Sequence, residues 1–372
     1  MTNLNDVYEL ANTIDTFALG HYARVYDAYD QRADRPVAFK IMRAEHLSPD
    51  GVPQWEAEAF INEADLLLAL ADLPGVMDMY DCGYIESDAV YPSEGAIDSC
   101  GTDLGAFRAA FYPRIEAGWR PYLSLEPLPR ADNLLYVMRQ GGEGRRLPTE
   151  EGLNLALQFG QLLYTAHERD IVYMDHKLEH VYWDGATLRV IDWNSSKRVG
   201  IAGQPAEQNK INDLHNLCVG ILYPVFTGSA PQKGSLRPQP GSRAEVEARY
   251  ENINQLDFSN APTLGRGIVH LLEQGARKEI YTATAFLAEV QRIAVRFGWN
   301  FPGQMPSEAV ARAREQTRQG LERLRQSHQA AREAREYFLT AAALDHINED
   351  MEAELRRLLA EIGDFLNHRV IP

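Results

Sequence analysis

Apolar and polar positions alternate around turn residues from residue 10 to 45, a period of two that predicts strands. Phe17 to Leu19, Val25 to Ala28 and Val37 to Met42 read as short antiparallel strands. A turn cluster, Ser48-Pro49-Asp50-Gly51, separates them from a helical pattern running from Trp55 to Leu73, with Phe60, Leu67 and Leu70 at helical spacing. Strand patterning returns at Val76 to Ile85. Residues 86–120 are rich in small residues and weakly periodic. They are expected to be an insertion with one short helix near Asp103 to Ala110.

A strand at Tyr122 to Leu125 and a proline-containing connector follow. Thr149-Glu150-Glu151 opens a strong amphipathic helix reaching about His167. The threonine can cap free amides, and the acids complement the helix dipole. Two short strands are expected near Val181 to Trp183 and Leu188 to Ile191, then mainly helix, with a loop over residues 229–243. Pro302-Gly303 punctuates the chain before a helical tail from about Pro306 to Asn367, read as one long helix or a helical hairpin. No repeat of solenoid length occurs.

The 372 residues are long for one domain and predict two domains plus an appendage. With 53 acidic against 37 basic residues the chain carries a formal charge of −16. Such a surface repels nucleic-acid backbones and anionic lipid, so neither nucleic acid nor membrane is expected as a partner. Cys82, Cys100 and Cys218 are few and widely spaced, forming no metal-ligand pattern. A basic region followed by an apolar run is absent from MTNLNDVYEL, and no 18-residue apolar stretch occurs. The expectation is a cytoplasmic protein with reduced thiols.

The chemistry-bearing residues lie in five stretches. Ala18-Leu19-Gly20-His21-Tyr22-Ala23-Arg24-Val25 reads as a hairpin, and Val37-Ala38-Phe39-Lys40 places a fixed positive charge on a strand. Glu63 has leucines four and seven residues on, Leu67 and Leu70, and can hold that lysine. Its plain alternative is a solvated helix acid. Ile171-Val172-Tyr173-Met174-Asp175-His176-Lys177-Leu178-Glu179-His180 is followed, after an expected hairpin, by Val190-Ile191-Asp192-Trp193-Asn194.

In this order the stretches resemble the protein-kinase family from about Tyr8 to Phe297: a glycine loop, a strand lysine, a helix glutamate, a catalytic loop and a metal-binding triplet. The resemblance implies an α+β, bilobal kinase-like fold. A small antiparallel-sheet lobe and hinge would span residues 1–128, with the 86–120 insertion, and a helical lobe residues 129–300. A C-terminal helical extension, residues 304–372, lies outside it. ATP would lie between the lobes against Gly20, Val25, Ala38, Lys40 and Glu63, with Glu126 to Leu128 as the hinge. Asp175 takes the place of the acceptor of the hydroxyl proton, and Lys177 that of the residue stabilising the transferred phosphoryl group. Asp192, with His180 at the second-metal position, would hold Mg²⁺ or, because imidazole suits it better, Mn²⁺. Asp213 matches the family's buried aspartate that braces the catalytic loop.

The chain departs from the pattern at several positions. Two loop glycines are Ala18 and Ala23, Tyr173-Met174 replaces His-Arg, His180 replaces asparagine, and the triplet reads Asp192-Trp193-Asn194. The segment from Asp192 to Asp213 is short and contains no A-P-E, and Ile280 stands where that glutamate's arginine partner would be. Three readings follow: a serine/threonine-type phosphotransferase acting on a hydroxyl of an unidentified protein or small molecule, a nucleotide-holding pseudokinase scaffold, or a small-molecule kinase. Lys177 points to the protein-kinase branch, and the short segment points away from extended peptide docking. In the tail, Met351, Leu355, Leu358, Ile362 and Phe365 form one apolar stripe, expected to pack on the body of the protein or to meet a partner or second copy.

Overall fold

The computed structural model describes residues 2–13, 23–47, 50–86, 95–139, 146–200, 206–231, 248–298, 308–344 and 348–367. All the strands of the large sheet lie before residue 126 and the remainder of the described chain is mostly helix, which makes the fold α+β.

Seven strands form one antiparallel sheet in the order β1-β6-β5-β7-β4-β3-β2. They are β1 (Thr2–Asn3), β2 (Tyr8–Thr13), β3 (Ala23–Asp30), β4 (Arg35–Met42), β5 (Met79–Ile85), β6 (Ala96–Gly101) and β7 (Arg120–Leu125). The sheet is curled. Tyr8 on edge strand β2 hydrogen-bonds through its hydroxyl to Asp81 on β5 at 2.7 Å. Four strand spacings in a flat sheet would hold them about 19 Å apart. Tyr26, Val37, Phe39, Ile41 and Tyr122 fill the inside of the curl, where Phe39 stacks on Tyr122 with ring centroids 4.8 Å apart.

The opposite face carries Ala38, Leu123 and Leu125 and packs against α1 (Trp55–Ala69) and the main core. Lys40 lies directly between Val25 on β3 and Leu123 on β7 in the ladder, so strand alternation places it on this face with Ala38.

The described residues from 95 to 120 are built into the sheet and its cover. They supply β6, which pairs with both β5 and β1, and α2 (Leu104–Glu116), which runs past the short helix expected near Asp103 to Ala110 and contains Pro113. Asp103 caps α2, accepting the Ala106 N–H at 2.9 Å. Strand β5 begins at Met79 rather than Val76, which forms an isolated bridge to Val190, and α1 ends at Ala69 rather than Leu73.

After β7 come α3 (Leu134–Arg139) and α4 (Thr149–Glu168). Thr149 is the first residue of α4 and not its cap. Pro148 occupies the cap position, so no side chain accepts a hydrogen bond there. β8 (Ile171–Val172) pairs with β11 (Lys197–Arg198), and β9 (Val181–Trp183) with β10 (Leu188–Val190). These two small ladders present the loop after β8 and the residues after β10 to each other. α5 (Ala206–Asn216) continues through a π-helical turn, Leu217–Leu222, into α6 (Tyr223–Thr227), followed by α7 (Arg266–Ala276) and α8 (Ala283–Arg296).

The tail is a pair of helices, α9 (Glu308–Ala342) and α10 (Glu349–Asn367), packed on each other. Of the expected stripe, Leu355 is buried and Leu358 and Ile362 half-buried, while Met351 and Phe365 are exposed. The Phe365 ring contacts His328 of α9 at 5.1 Å. Among the described residues no helix is long and apolar enough to cross a membrane.

Candidate functional site

Lys40 is held by two carboxylates from different elements. Its Nζ donates to Glu63 of α1 at 2.7 and 3.0 Å and to Asp192 Oδ1 at 2.7 Å. Burial opposes the charge on Lys40, but Asp192 and Glu63 outweigh it and keep the ammonium well above its usual range. Glu63 is fully buried. Burial pushes its carboxyl up, Lys40 pulls it down, Asp192 pushes it up, and the net shift is upward. For Asp192 burial is outweighed by Lys40 and His180, leaving a carboxyl well below the ordinary range. Removing one member of such a buried set leaves an uncompensated charge, so the three ions fix one another.

Asp192 adopts left-handed backbone, φ 62°, a region that aspartate tolerates better than most residues. Helix α1 clamps the chain just beyond it. Asn62 Nδ2 donates to the carbonyls of Asn194 and Ser196 at 2.9 and 2.8 Å. Asn194 Nδ2 also donates to Asp192 Oδ1.

The loop after β8 holds Asp175, His176, Lys177 and His180, all buried. Its conformation is strained, with Met174 at φ 69°. Asp213 of α5 pins that strain. One carboxylate oxygen accepts the Tyr173 N–H at 2.9 Å and the other the Met174 N–H at 2.7 Å. His167 Nε2–H donates to Asp213 at 2.9 Å, and Asn216 Nδ2 donates to the Met174 carbonyl at 3.0 Å. Burial raises Asp213, but the His167 hydrogen bond and the charges nearby lower it overall. A non-glycine left-handed residue persists where neighbours over-determine it, and the next residue in the chain is Asp175.

Asp175 is 3 % exposed. Lys177 Nζ meets its Oδ2 at 2.8 Å, and Arg249 Nη2 stands 3.4 Å from its Oδ1. Burial raises the Asp175 carboxyl, yet Lys177, His180 and Arg249 outweigh it, so the group lies below the usual carboxylate range and is ionised at neutral pH.

His180 joins the two aspartates. Its Nδ1–H donates to the Asp175 carbonyl at 3.1 Å, and Nε2 faces Asp192 Oδ2 at 3.2 Å. Ligand atoms of Asp175, His180 and Asp192 all lie within 4.8 Å of one another. A backbone carbonyl fixing one imidazole nitrogen while the other faces a carboxylate is the arrangement that orients a metal-ligating histidine. Two carboxylates and one imidazole therefore fit a divalent cation, and the nitrogen favours Mn²⁺ over Mg²⁺.

Comparison with models of known protein families finds no match, and comparison with curated proteins finds none either.

Lys40, Glu63, Asp175, Lys177, His180 and Asp192 are thus gathered at one place. Val25 is the ladder neighbour of Lys40, and Ala38 lies two residues along the same face. Glu126 sits at the end of β7, where its N–H donates to the Asp78 carbonyl at 2.9 Å and its carboxylate accepts from Arg189 Nη2 at 2.8 Å. Leu128 follows in the irregular connector. Gly20, and with it the strand expected at Phe17 to Leu19, lies outside the described residues. Arg249 carries no motif in the sequence, and nothing around it marks it as a neighbour of Asp175.

Proposed function

We propose that the chain is an ATP-dependent phosphotransferase of protein-kinase type, transferring the γ-phosphoryl group to a hydroxyl. In this reading the curled sheet with α1 is the small lobe, the helical part the large lobe, and residues 126–128 the hinge. The observation that carries it is the convergence of two lysines, two aspartates and a glutamate from β4, α1, the β8–β9 loop and the end of β10. A structural ion cluster has no need of a lysine bridging two carboxylates beside a strained loop carrying a second aspartate–lysine pair.

In this reading each charged side chain has its own task. Lys40 binds the α- and β-phosphates, and Glu63 holds its flexible chain in place. Asp192 and His180 would hold a divalent cation, which when bound neutralises charge on the phosphates. Asp175, kept ionised by Lys177, accepts the hydroxyl proton, and Lys177 offsets negative charge on the group in transit. Motion of the phosphoryl group needs little covalent chemistry from the protein, so positioned charge is what the site has to supply.

The deciding experiment compares wild type with Asp175→Asn in single-turnover phosphoryl transfer and ATP hydrolysis, with Mg²⁺ and with Mn²⁺. ATP binding should persist in the variant while transfer falls roughly 10²-fold or more, the scale of a lost general base. Equal rates in the two proteins would refute the assignment. ATP binding without turnover in either would favour the second reading, a nucleotide-holding scaffold, which draws on the occupation of Asp175 Oδ1 by Arg249.

A further inference from the structure

Asn62 precedes Glu63 on α1 and, unlike it, carries no charge. Both N–H groups of its side-chain amide go to one short stretch of backbone, the Asn194 carbonyl at 2.9 Å and the Ser196 carbonyl at 2.8 Å. Glu63 accepts the Trp193 N–H. Two neighbouring side chains of α1 therefore hold the backbone of residues 193, 194 and 196, directly after Asp192. The other side of the stretch is held as well. The fully buried Trp193 stands edge-on to Tyr173 with ring centroids 4.8 Å apart, and the buried Ser196 hydroxyl donates to the Tyr173 carbonyl at 2.8 Å.

Asp192, at the head of this stretch, has left-handed backbone at φ 62°. Aspartate tolerates that region but does not prefer it, and it stays there only where its surroundings fix it. The surroundings here trace back to Asn62. Asn194, whose carbonyl Asn62 holds, turns its own Nδ2 onto Asp192 Oδ1. That leaves Oδ2 facing His180 Nε2 at 3.2 Å, inside the group of ligand atoms that also takes in Asp175.

We propose that Asn62 is a positioning residue for Asp192: it fixes the turn that aims the carboxylate at His180 and so sets the affinity of the site for a divalent cation. This rests on Asp192 and His180 being the cation ligands of the phosphotransferase proposed above. Loss of a partner that orients a metal ligand weakens binding by about 10- to 100-fold. With an apolar side chain at position 62 two carbonyls lose their donors and the turn is released. Lys40 still attracts the Asp192 carboxylate, but the aim of Oδ2 is no longer fixed. The apparent affinity for the cation then falls by the fraction of molecules in which the turn is in place. Saturating cation gathers the population back into that arrangement, so the defect is one of affinity and not of the transfer step.

The test uses the full chain and Mn²⁺ as the probe. Electron paramagnetic resonance follows free Mn²⁺ in titrations with and without a non-hydrolysable ATP analogue, for wild type, Asn62→Leu, Asn62→Ser and Asp65→Asn. Thermal midpoints check that each variant is folded. Asn62→Leu keeps the shape and removes both donors, and Asn62→Ser keeps one donor at most. Asp65→Asn breaks the ion pair to Arg198 at 3.1 Å, a second tie from α1 to the chain beyond Asp192. Asn62→Leu should weaken Mn²⁺ binding by about 10-fold or more, with Asn62→Ser between it and wild type. Asp65→Asn, an exposed pair, should change it by about 2-fold at most. The Mn²⁺ concentration for half-maximal phosphoryl transfer should rise in Asn62→Leu by the same factor as the dissociation constant, while the rate at saturating Mn²⁺ stays within about 3-fold of wild type. If Asn62→Leu does not fold, Asn62→Ser is judged by the same signs. Equal Mn²⁺ affinity in wild type and the Asn62 variants overturns the proposal, and so does the absence of Mn²⁺ binding by wild type. An equal loss in Asp65→Asn also overturns it, since α1 would then be a general tether, as does a fall in rate that saturating Mn²⁺ does not restore. Mn²⁺ binding that depends on Asn62, with no phosphoryl transfer by any of the proteins, would uphold the positioning role and sink the phosphotransferase reading alone.

Discussion

Asp213 shows how one side chain can set a loop. It is fully buried and takes hydrogen bonds from two consecutive backbone amides and from His167. Its folded-state pKa is lowered relative to about 3.9 in the unfolded chain. The unfolded state then binds the proton more readily, so the stabilisation is present above about pH 4 and is lost as pH falls through the folded-state value. Asp213→Asn should cost about 3 kcal/mol at neutral pH and flatten the acid end of the stability curve, as read from urea midpoints between pH 3 and 7. A variant with the wild-type midpoint at pH 7 would show that the loop is held by other contacts.

The residues of the site were legible in the sequence where chemistry is packed into a short stretch. Asp175, Lys177 and His180 lie within six positions, and Lys40 is the charged residue within the apolar run from Val37 to Met42. Arg249 was not legible, because the contact that seats it joins Tyr250 to His176, 74 positions apart in the chain. No local pattern encodes a pairing made by the return of a distant segment.

Among the elements, α1, α4 and the β9–β10 ladder followed from periodicity to within a few residues, because each has one apolar face turned to the core. β6 and α2 did not. Ala96–Gly101 alternates poorly, and α2 continues past Pro113, a residue disfavoured inside helices. Phe107, Phe111 and Ile115, all buried at steps of four, are the signal that outweighs the proline. The π-helical turn is an element that composition cannot announce. Its Gly220 has no room for a Cβ, which would lie 2.6 Å from the Tyr250 ring and 2.9 Å from the His176 carbonyl. Gly220→Ala should therefore destabilise by about 2 kcal/mol, measured by chemical denaturation, despite alanine's better helix propensity. A neutral or stabilising effect would mean that Tyr250 is not fixed against the turn.

At the scale of the molecule, the main core ends before the tail. Its last member is Ala294, and the described residues of α9 and α10 contribute none. The tail helices pack instead on each other. A chain ending at Gly298 should keep a single cooperative thermal transition within about 3 °C of the full-length midpoint, as read by circular dichroism at 222 nm. A large drop would reveal that the hairpin supports the body.

The curl of the sheet also sets an order in time. The first strand pairs with Ala96 and Ile97, while Tyr8–Thr13 pairs with β3, so the opening residues join the two ends of a sheet whose middle is not yet made. At about 5–20 residues per second, a ribosome needs on the order of 5–20 s to deliver β6 after β1, and longer for β7. Through that interval Phe39 and Tyr26 lack the Tyr122 side of their pocket, and Asp81 and Tyr8 await their remaining partners. The nascent chain must therefore wait with an open, aromatic-lined sheet. Synthesis rate and holding chaperones, rather than the stability of the finished protein, would then govern how much of it reaches the native state.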